Sequence, residues 1–456
     1  MNSVEDRVHA AMSAAADLAA REIHSAPPLR LPSEPAVGAR HRHAPRRWIR
    51  WAAPLAAAVV VVALAIALVL IKDIQNGRVV PSSTAAPAGP GGVPRYYVAL
   101  KRFAGNVDDY TQQNGIVVGD SVTGKTLATF APPARTTFES VTAAADDRTF
   151  VVFAVTSSSG SFDVRAKATL TGSWYEVRLA PGTADPARLT RLPIKPLTVP
   201  YSYVTFGLGE LVDSFAAALS GSGKELAVPE WAPHGLAVKV FSVATGRLLH
   251  EWTTNDRSFA GEPSLAWIDG DRELALVSRS IDVQPNSKFA AMNVTVREWP
   301  VGGPASGDLV AVSKVVWGVR TVKNPLTTLQ QCVEPVVGGP VLISADGKTF
   351  SCTTAGGSAA SDHLSFHTYP LTASTTGATE GRIDYQVTLS NVIYIPEVLW
   401  TSPSGGTLIG ALIPYLGSPA AAANGLRIGV ISHGKFTPLR FPPGFAPSGR
   451  PFSIAW

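Results

Sequence analysis

Two patterns of hydrophobic and polar positions divide the chain. From Ala52 to Ile71 twenty consecutive positions carry no charge, and most are Ala, Val, Leu or Ile. At about 1.5 Å rise per residue, such a run spans the roughly 30 Å hydrocarbon core of a bilayer. From Arg95 to Trp456 the pattern changes to short runs rich in Val, Thr, Phe and Tyr, broken by Gly, Pro, Asp and Ser, with no sustained 3.6-residue stripe. The first pattern predicts a transmembrane helix over 51–71, and the second an all-β domain over 95–456.

Charge gives the apolar run a direction. Arg40, Arg42, Arg46, Arg47 and Arg50 precede it with no acid among them, whereas Lys72 and Arg78 follow it with Asp73 between. The positive-inside rule then predicts a single-pass protein of the cell membrane, N-terminus cytoplasmic and β domain extracytoplasmic, with membrane lipid as one partner. Trp48 and Trp51 stand where an interfacial aromatic would sit. Before the membrane, residues 1–50 read as a tail: a short helix over Val4–Ile23 behind a Ser3 N-cap, then a Pro- and Arg-rich spacer. After it, 72–94 reads as a Pro/Gly-rich exterior linker.

A β domain of about 360 residues is large for a sandwich, which makes internal repeats the first thing to seek. One unit is a tight turn with small or acidic residues, then usually a basic residue, then a hydrophobic strand. It occurs at Ala145–Phe150, Gly221–Leu226, Asp269–Leu274, Ala345–Phe350 and Pro403–Leu408, and its aligned positions Arg148, Lys224, Arg272, Lys348 and Gly406 are spaced 76, 48, 76 and 58 apart. Asp, Gly and Ser suit hairpin turns that need positive φ. A second unit, an alternating strand, a Gly-containing turn and another strand, is clear at Ile116–Leu127 and Val238–Leu249, with weaker copies over Trp174–Leu189, Val294–Leu309, Leu364–Gly377 and Ile428–Leu439. Six hairpins against five turns leave one turn missing, and the termini supply it. Phe452–Trp456 resembles the strand before a turn and Arg95–Val98 the strand after one.

These repeats resemble a β-propeller of the WD40-like or TolB-like kind, with six blades and Phe452–Trp456 completing the first blade beside Tyr96–Leu100. Seven blades is the alternative count, because strands around Tyr201–Phe206 and Val315–Val322 have no place among the six hairpins. The opening Met1–Val8, the Pro28–Arg30 segment, the Arg-rich stretch and the single Ala/Val helix make the whole layout similar to membrane-anchored propeller proteins of high-GC actinobacteria. That resemblance implies an extracytoplasmic module binding a protein, peptide or glycan. Some such proteins resemble the membrane partners of alternative sigma factors, which makes signalling the alternative, with a cytoplasmic regulator bound at residues 1–50.

Composition narrows the chemistry. At 46% hydrophobic and 16% charged, the chain is too apolar for disorder. Of its 39 basic and 34 acidic residues, 8 and 5 lie in 1–50, so the basic excess is chiefly juxtamembrane and predicts no nucleic-acid partner. Two cysteines, Cys332 and Cys352, fall in the exterior domain and predict a disulfide worth about 3 kcal/mol. No metal or cofactor site is predicted. His363 and His367 sit on a strand, where an i,i+4 pair stands about 13 Å apart; Asp269, Asp271 and Glu273 coincide with a repeat turn, as does the phosphate-loop-like Gly221–Lys224. Trp231, Trp252, Trp267, Trp299, Trp317, Trp400 and Trp456 recur about once per blade and suit the space between blades. An exterior glycoside or other hydrolase is the remaining alternative, the glycoside reading drawing on Asp108, Asp109, Asp120, Asp213 and Asp384 near a central channel, though no spacing selects a catalytic pair and the expectation is a non-enzyme.

Overall fold

The computed structural model describes residues 92–102, 114–158, 170–180, 187–199, 217–232, 235–256, 263–283, 290–321, 341–356, 363–371, 382–388, 394–414, 426–442, 445 and 453–456. All of them fall within one compact unit, Ser83–Trp456. The anticipated tail, membrane helix and most of the linker lie outside the described residues, as do Cys332, Asp108, Asp109, Asp213 and the Tyr201–Phe206 strand.

The strands form six sheets, each an antiparallel blade, to one of which a short strand adds in parallel. Blade 1 holds β1 (Tyr96–Arg102), β2 (Asn114–Asp120) and β3 (Lys125–Phe130), and blade 2 holds β4 (Thr136–Ala143), β5 (Thr149–Ser157), β6 (Leu170–Arg178), β7 (Arg188–Arg191) and the added β8 (Leu197–Val199). Blade 3 holds β9 (Ala218–Leu219), β10 (Glu225–Ala232), β11 (Gly235–Ser242) and β12 (Leu248–Thr254); blade 4 holds β13 (Ser264–Ile268), β14 (Glu273–Val283) and β15 (Ala290–Pro300). The connection after β15 carries β16 (Ser306–Asp308) and the short helix α1 (Leu309–Val312) before the outermost strand of blade 4, β17 (Lys314–Thr321). Blade 5 is β18 (Leu342–Ile343), β19 (Thr349–Gly356), β20 (His363–Pro370) and β21 (Arg382–Thr388), and blade 6 is β22 (Tyr394–Thr401), β23 (Leu408–Pro414), β24 (Arg427–Ser432) and β25 (Lys435–Pro438). The final strand, β26 (Ile454–Ala455), returns to blade 1 and pairs with β1 as Val98↔Ala455 and Ala99↔Ile454. The chain is therefore an all-β, six-bladed propeller closed by its own C-terminus, as the repeats anticipate.

Why a ring follows from these residues is clearest on the second strand of each blade. Strand alternation sends successive side chains to opposite faces, and in β5 both faces are apolar. Phe150, Val152 and Ala154 enter the core shared with blade 1, while Val151, Phe153 and Val155 enter the core shared with blade 3. The rule repeats in β14, where Leu274 and Leu276 face blade 3 and Ala275 and Val277 face blade 5, and in β23, where Leu408 and Leu412 face blade 5 and Ile409 and Ile413 face blade 1. A blade buried on both faces needs two neighbours, and six such blades satisfy one another only by closing. The innermost strands β26, β4, β9, β13, β18 and β22 meet each other in that cyclic order.

Three expectations need correction. Strand 315–322 belongs to no seventh blade, because β17 is the fourth strand of blade 4, pairing with β15. The hairpin expected over Val294–Leu309 also differs, since Ser306–Asp308 runs parallel to β12 of blade 3 rather than back along β15. The physical reason is burial: α1 places Leu309 in the core between blades 3 and 4, its first turn capped by the Asp308 carboxylate on the Val310 amide at 2.9 Å, and the Trp252 indole donates to Pro304 O at 3.1 Å. The partner of β20 likewise begins at Arg382, beyond the expected 364–377 span.

Candidate functional site

In each blade the turn from the innermost to the second strand and the turn from the third to the fourth lie at the same end. One hydrogen bond recurs to show it. The amides of Ser121, Leu179, Val243, Val301 and Leu371, just past the third strand, donate to the carbonyls of Arg95, Arg148, Lys224, Arg272 and Lys348 at the start of the second. The repeated turn occupies that face. Its left-handed position holds Asp147, Gly223, Asp271, Gly347 and Gly405, with φ between 59° and 70°.

Most acids of these turns are spent on the backbone. Asp146 Oδ1 accepts from the Arg148 and Thr149 amides at 2.9 and 2.8 Å, and Asp271 reaches the neighbouring turn to accept from Gly221 and Ser222 at 2.6 and 2.8 Å. Asp269 pairs with Arg272 at 2.6 Å. Asp271 of the residues that read as a calcium loop thus binds the glycine loop that read as a phosphate cradle, joining adjacent blade turns. Asp147 does the same service where no covalent turn exists: it accepts from the Arg95 and Tyr96 amides at 2.7 and 2.9 Å, fastening the start of β1 to blade 2. Burial pushes its carboxyl up to about 6, against the opposing pull of those two amides. The guanidinium groups of Arg95 and Arg148 lie over the Tyr96 ring, each 5.2 Å from its centroid.

The other sequence candidates have structural duties too. Asp120 closes the β2–β3 turn, accepting from Val122 and Thr123, and pairs with Arg95 at 2.8 Å; its carboxyl is held below the usual range, the Arg95 and amide hydrogen bonds together outweighing the larger single effect of burial. Asp384 lies on the outermost strand of blade 5, bonded to Thr368 at 2.5 Å and Arg382 at 2.7 Å, so neither aspartate belongs to a channel pair. His363 and His367 share strand β20, and burial lowers the His367 pKa. Cys352, on β19, is disulfide-bonded and buried in the core between blades 4 and 5. Trp252, Trp267, Trp299, Trp317 and Trp456 fill inter-blade cores, and Trp400 packs against the one between blades 6 and 1.

Sequence reasoning missed Glu139. It stands on β4, the innermost strand of blade 2, where the ladder with β5 shifts between Phe138 and Ser140 and leaves it unpaired. It keeps a partial opening to solvent while protein crowds around it, and this desolvation pushes its carboxyl up to about 8 despite a hydrogen bond with Thr137. A second inner-strand irregularity lies between Val398 and Trp400 of β22, next to the buried Glu397. Bulges re-aim side chains at sheet edges, and their only sequence signal is a broken alternation. Thr142, Ser264 and Leu399 on the inner strands, and Ser453 just before β26, are also partly exposed, in contrast with the sealed second strands. At the seam of blades 6 and 1 there is also a cleft of about 300 Å³, its wall formed by Leu426, Pro438, Phe441, Pro442 and Phe445 and the exposed Arg427.

No protein-family model and no curated protein match the sequence. Among solved structures, the chain is similar to TolB from Acinetobacter baumannii at 12% identity and TM-score 0.37, covering 79% of this chain and 66% of that one, just under two thirds of its length. It is also similar to a putative TolB from Agrobacterium tumefaciens (10%, TM-score 0.35, 75% and 88% covered) and to the β-propeller domain of the Trilobed protease from Pyrococcus furiosus (9%, TM-score 0.38, 78% and 83% covered). At these identities the likeness is one of fold alone.

Proposed function

We propose that this chain is a single-pass membrane protein whose extracytoplasmic propeller is a binding module for a protein, peptide or glycan, without catalysis of its own. The observation that carries this reading is the commitment of Asp120, Asp146, Asp147, Asp269, Asp271 and Asp384 to turn amides, hydroxyls and arginines, which builds a rigid ring rather than a reacting centre. A fixed ring with a partly open inner wall and an aromatic- and Pro-lined cleft presents surfaces at little ordering cost. The apolar run Ala52–Ile71 supports the anchor, and the disulfide at Cys352 fits an oxidising exterior.

The test is crosslinking and affinity capture of the full chain from its native membrane, beside a version lacking residues 1–50. Exterior or envelope partners that survive the deletion support the binding module. Recovery of a transcription regulator only with the intact tail would replace this reading with transmembrane signalling.

A further inference from the structure

The face that carries the repeated turns also carries a ring of cations, which the near-balance of charge in the exterior domain conceals. Each blade begins its outermost strand, within one residue, with a basic side chain: Lys125, Arg188, Arg247, Lys314, Arg382 and Lys435, all exposed. Inside this ring stand the basic residues of the second strands, of which Lys224, Arg272 and Lys348 are exposed. The acids of the same turns point the other way in chemical terms. Asp120, Asp146, Asp147 and Asp271 give their oxygens to backbone amides, as shown above, and Asp346 accepts from the Lys348 amide at 3.0 Å. Glu298 and Asp384, which meet Lys314 and Arg382, are largely buried. Among the described residues no ion pair holds Lys125, Arg188, Lys224, Arg247, Lys348 or Lys435. Apart from Asp269, which is exposed and pairs with Arg272, the turn acids are therefore drawn into the backbone and the cations left at the surface, so a partner at contact distance meets chiefly ammonium and guanidinium groups.

The chain reaches the ring on this same face. Val93 is buried in the core between blades 6 and 1, and Arg95 begins β1 at the turn end. The stretch between Ile71 and Gly92 can extend at most about 70 Å, which keeps the propeller within reach of the bilayer that an anchor at 51–71 would span. We infer that the turn face of the propeller docks on the anionic lipid headgroups of the membrane in which the chain is anchored. The inference rests on the anchored reading above, and it deepens that reading by assigning one face to the membrane and leaving the other for the exterior partner.

The test uses the full chain in vesicles of phosphatidylcholine with or without phosphatidylglycerol. Lysines are acetylated and read by peptide mass spectrometry. The expected result is a loss of labelling at Lys125, Lys224, Lys348 and Lys435 in the anionic vesicles, reversed by high salt, with Lys101 at the far end of β1 unchanged. The triple variant Lys125→Glu, Lys348→Glu, Lys435→Glu should abolish the protection of Lys224 without lowering the Tm. Equal labelling in both vesicle types while the chain survives an alkaline wash would overturn the docking inference alone. Release by that wash would overturn the anchor and the docking with it. Protection that arises in native membranes but not in pure anionic vesicles would assign the face to a protein and reject lipid.

Discussion

At the scale of single residues, the repeated turn shows how one backbone requirement is met by two chemistries. Asp147 and Asp271 accept a left-handed conformation and use their carboxylates to hold the preceding blade, whereas the same conformation at Gly405 leaves no room for a side chain, since a Cβ there would lie 2.0 Å from Thr349 Oγ1. Gly405→Ala should cost about 1–3 kcal/mol through overpacking, to be read by urea unfolding. Asp147 and Glu139 predict the pH dependence of stability. Their folded pKa values, about 6 and about 8, lie above the usual values near 3.9 and 4.3. The native state therefore binds more protons than the unfolded state from about pH 4 to pH 8, and stability falls as pH rises through that window. Asp147→Asn should flatten the fall between about pH 4 and 6, and Glu139→Gln the fall between about pH 4 and 8, both measured as Tm against pH. The Asp147 service to β1 was hidden in the sequence, where Asp147 reads only as a turn former, because its acceptor role depends on a neighbour about fifty residues away.

At the scale of elements, β26 and α1 do opposite kinds of work. Strand β26 supplies the innermost strand of blade 1, and its flanking Ser453 both accepts from the Leu100 amide at 3.0 Å and receives the Val141 amide on its hydroxyl at 2.9 Å, tying blades 1 and 2 together. Removing Ser453–Trp456 exposes Tyr97 and Ala99 and frees an inner edge, so hydrogen exchange of β1 should rise well before that of β10 or β14. Helix α1 is too short to be stable alone and acts through one side chain. Leu309→Ala should lower stability by about 2–5 kcal/mol, measured by denaturant unfolding, with the loss localised by exchange at β12. The strand-to-strand repeats were legible because alternation and turn residues are local signals. The excursion Ser306–Val312 was not, since a three-residue parallel pairing with another blade leaves no periodicity.

At the scale of the whole molecule, sequence and tertiary structure divided the decisions in a physically sensible way. The sequence alone determined an all-β repeat, the count of hairpins and the return of the last strand to the first blade. Each of these rests on patterns a few residues long: alternating apolar positions, Gly and Asp at turns, and an interrupted copy of the unit at both ends. It also determined the separation between an apolar run at 52–71 and the β domain, which is a matter of composition. Only the tertiary structure decided that blades bury both faces against two neighbours, that Glu139 rather than Asp120 or Asp384 stands partly open on an inner strand, and that most turn acids face amides while the cations face outward. These outcomes depend on which groups from distant blades come within hydrogen-bond reach and which lose water, and both are set by the closing of the ring, a property that no local stretch of sequence contains.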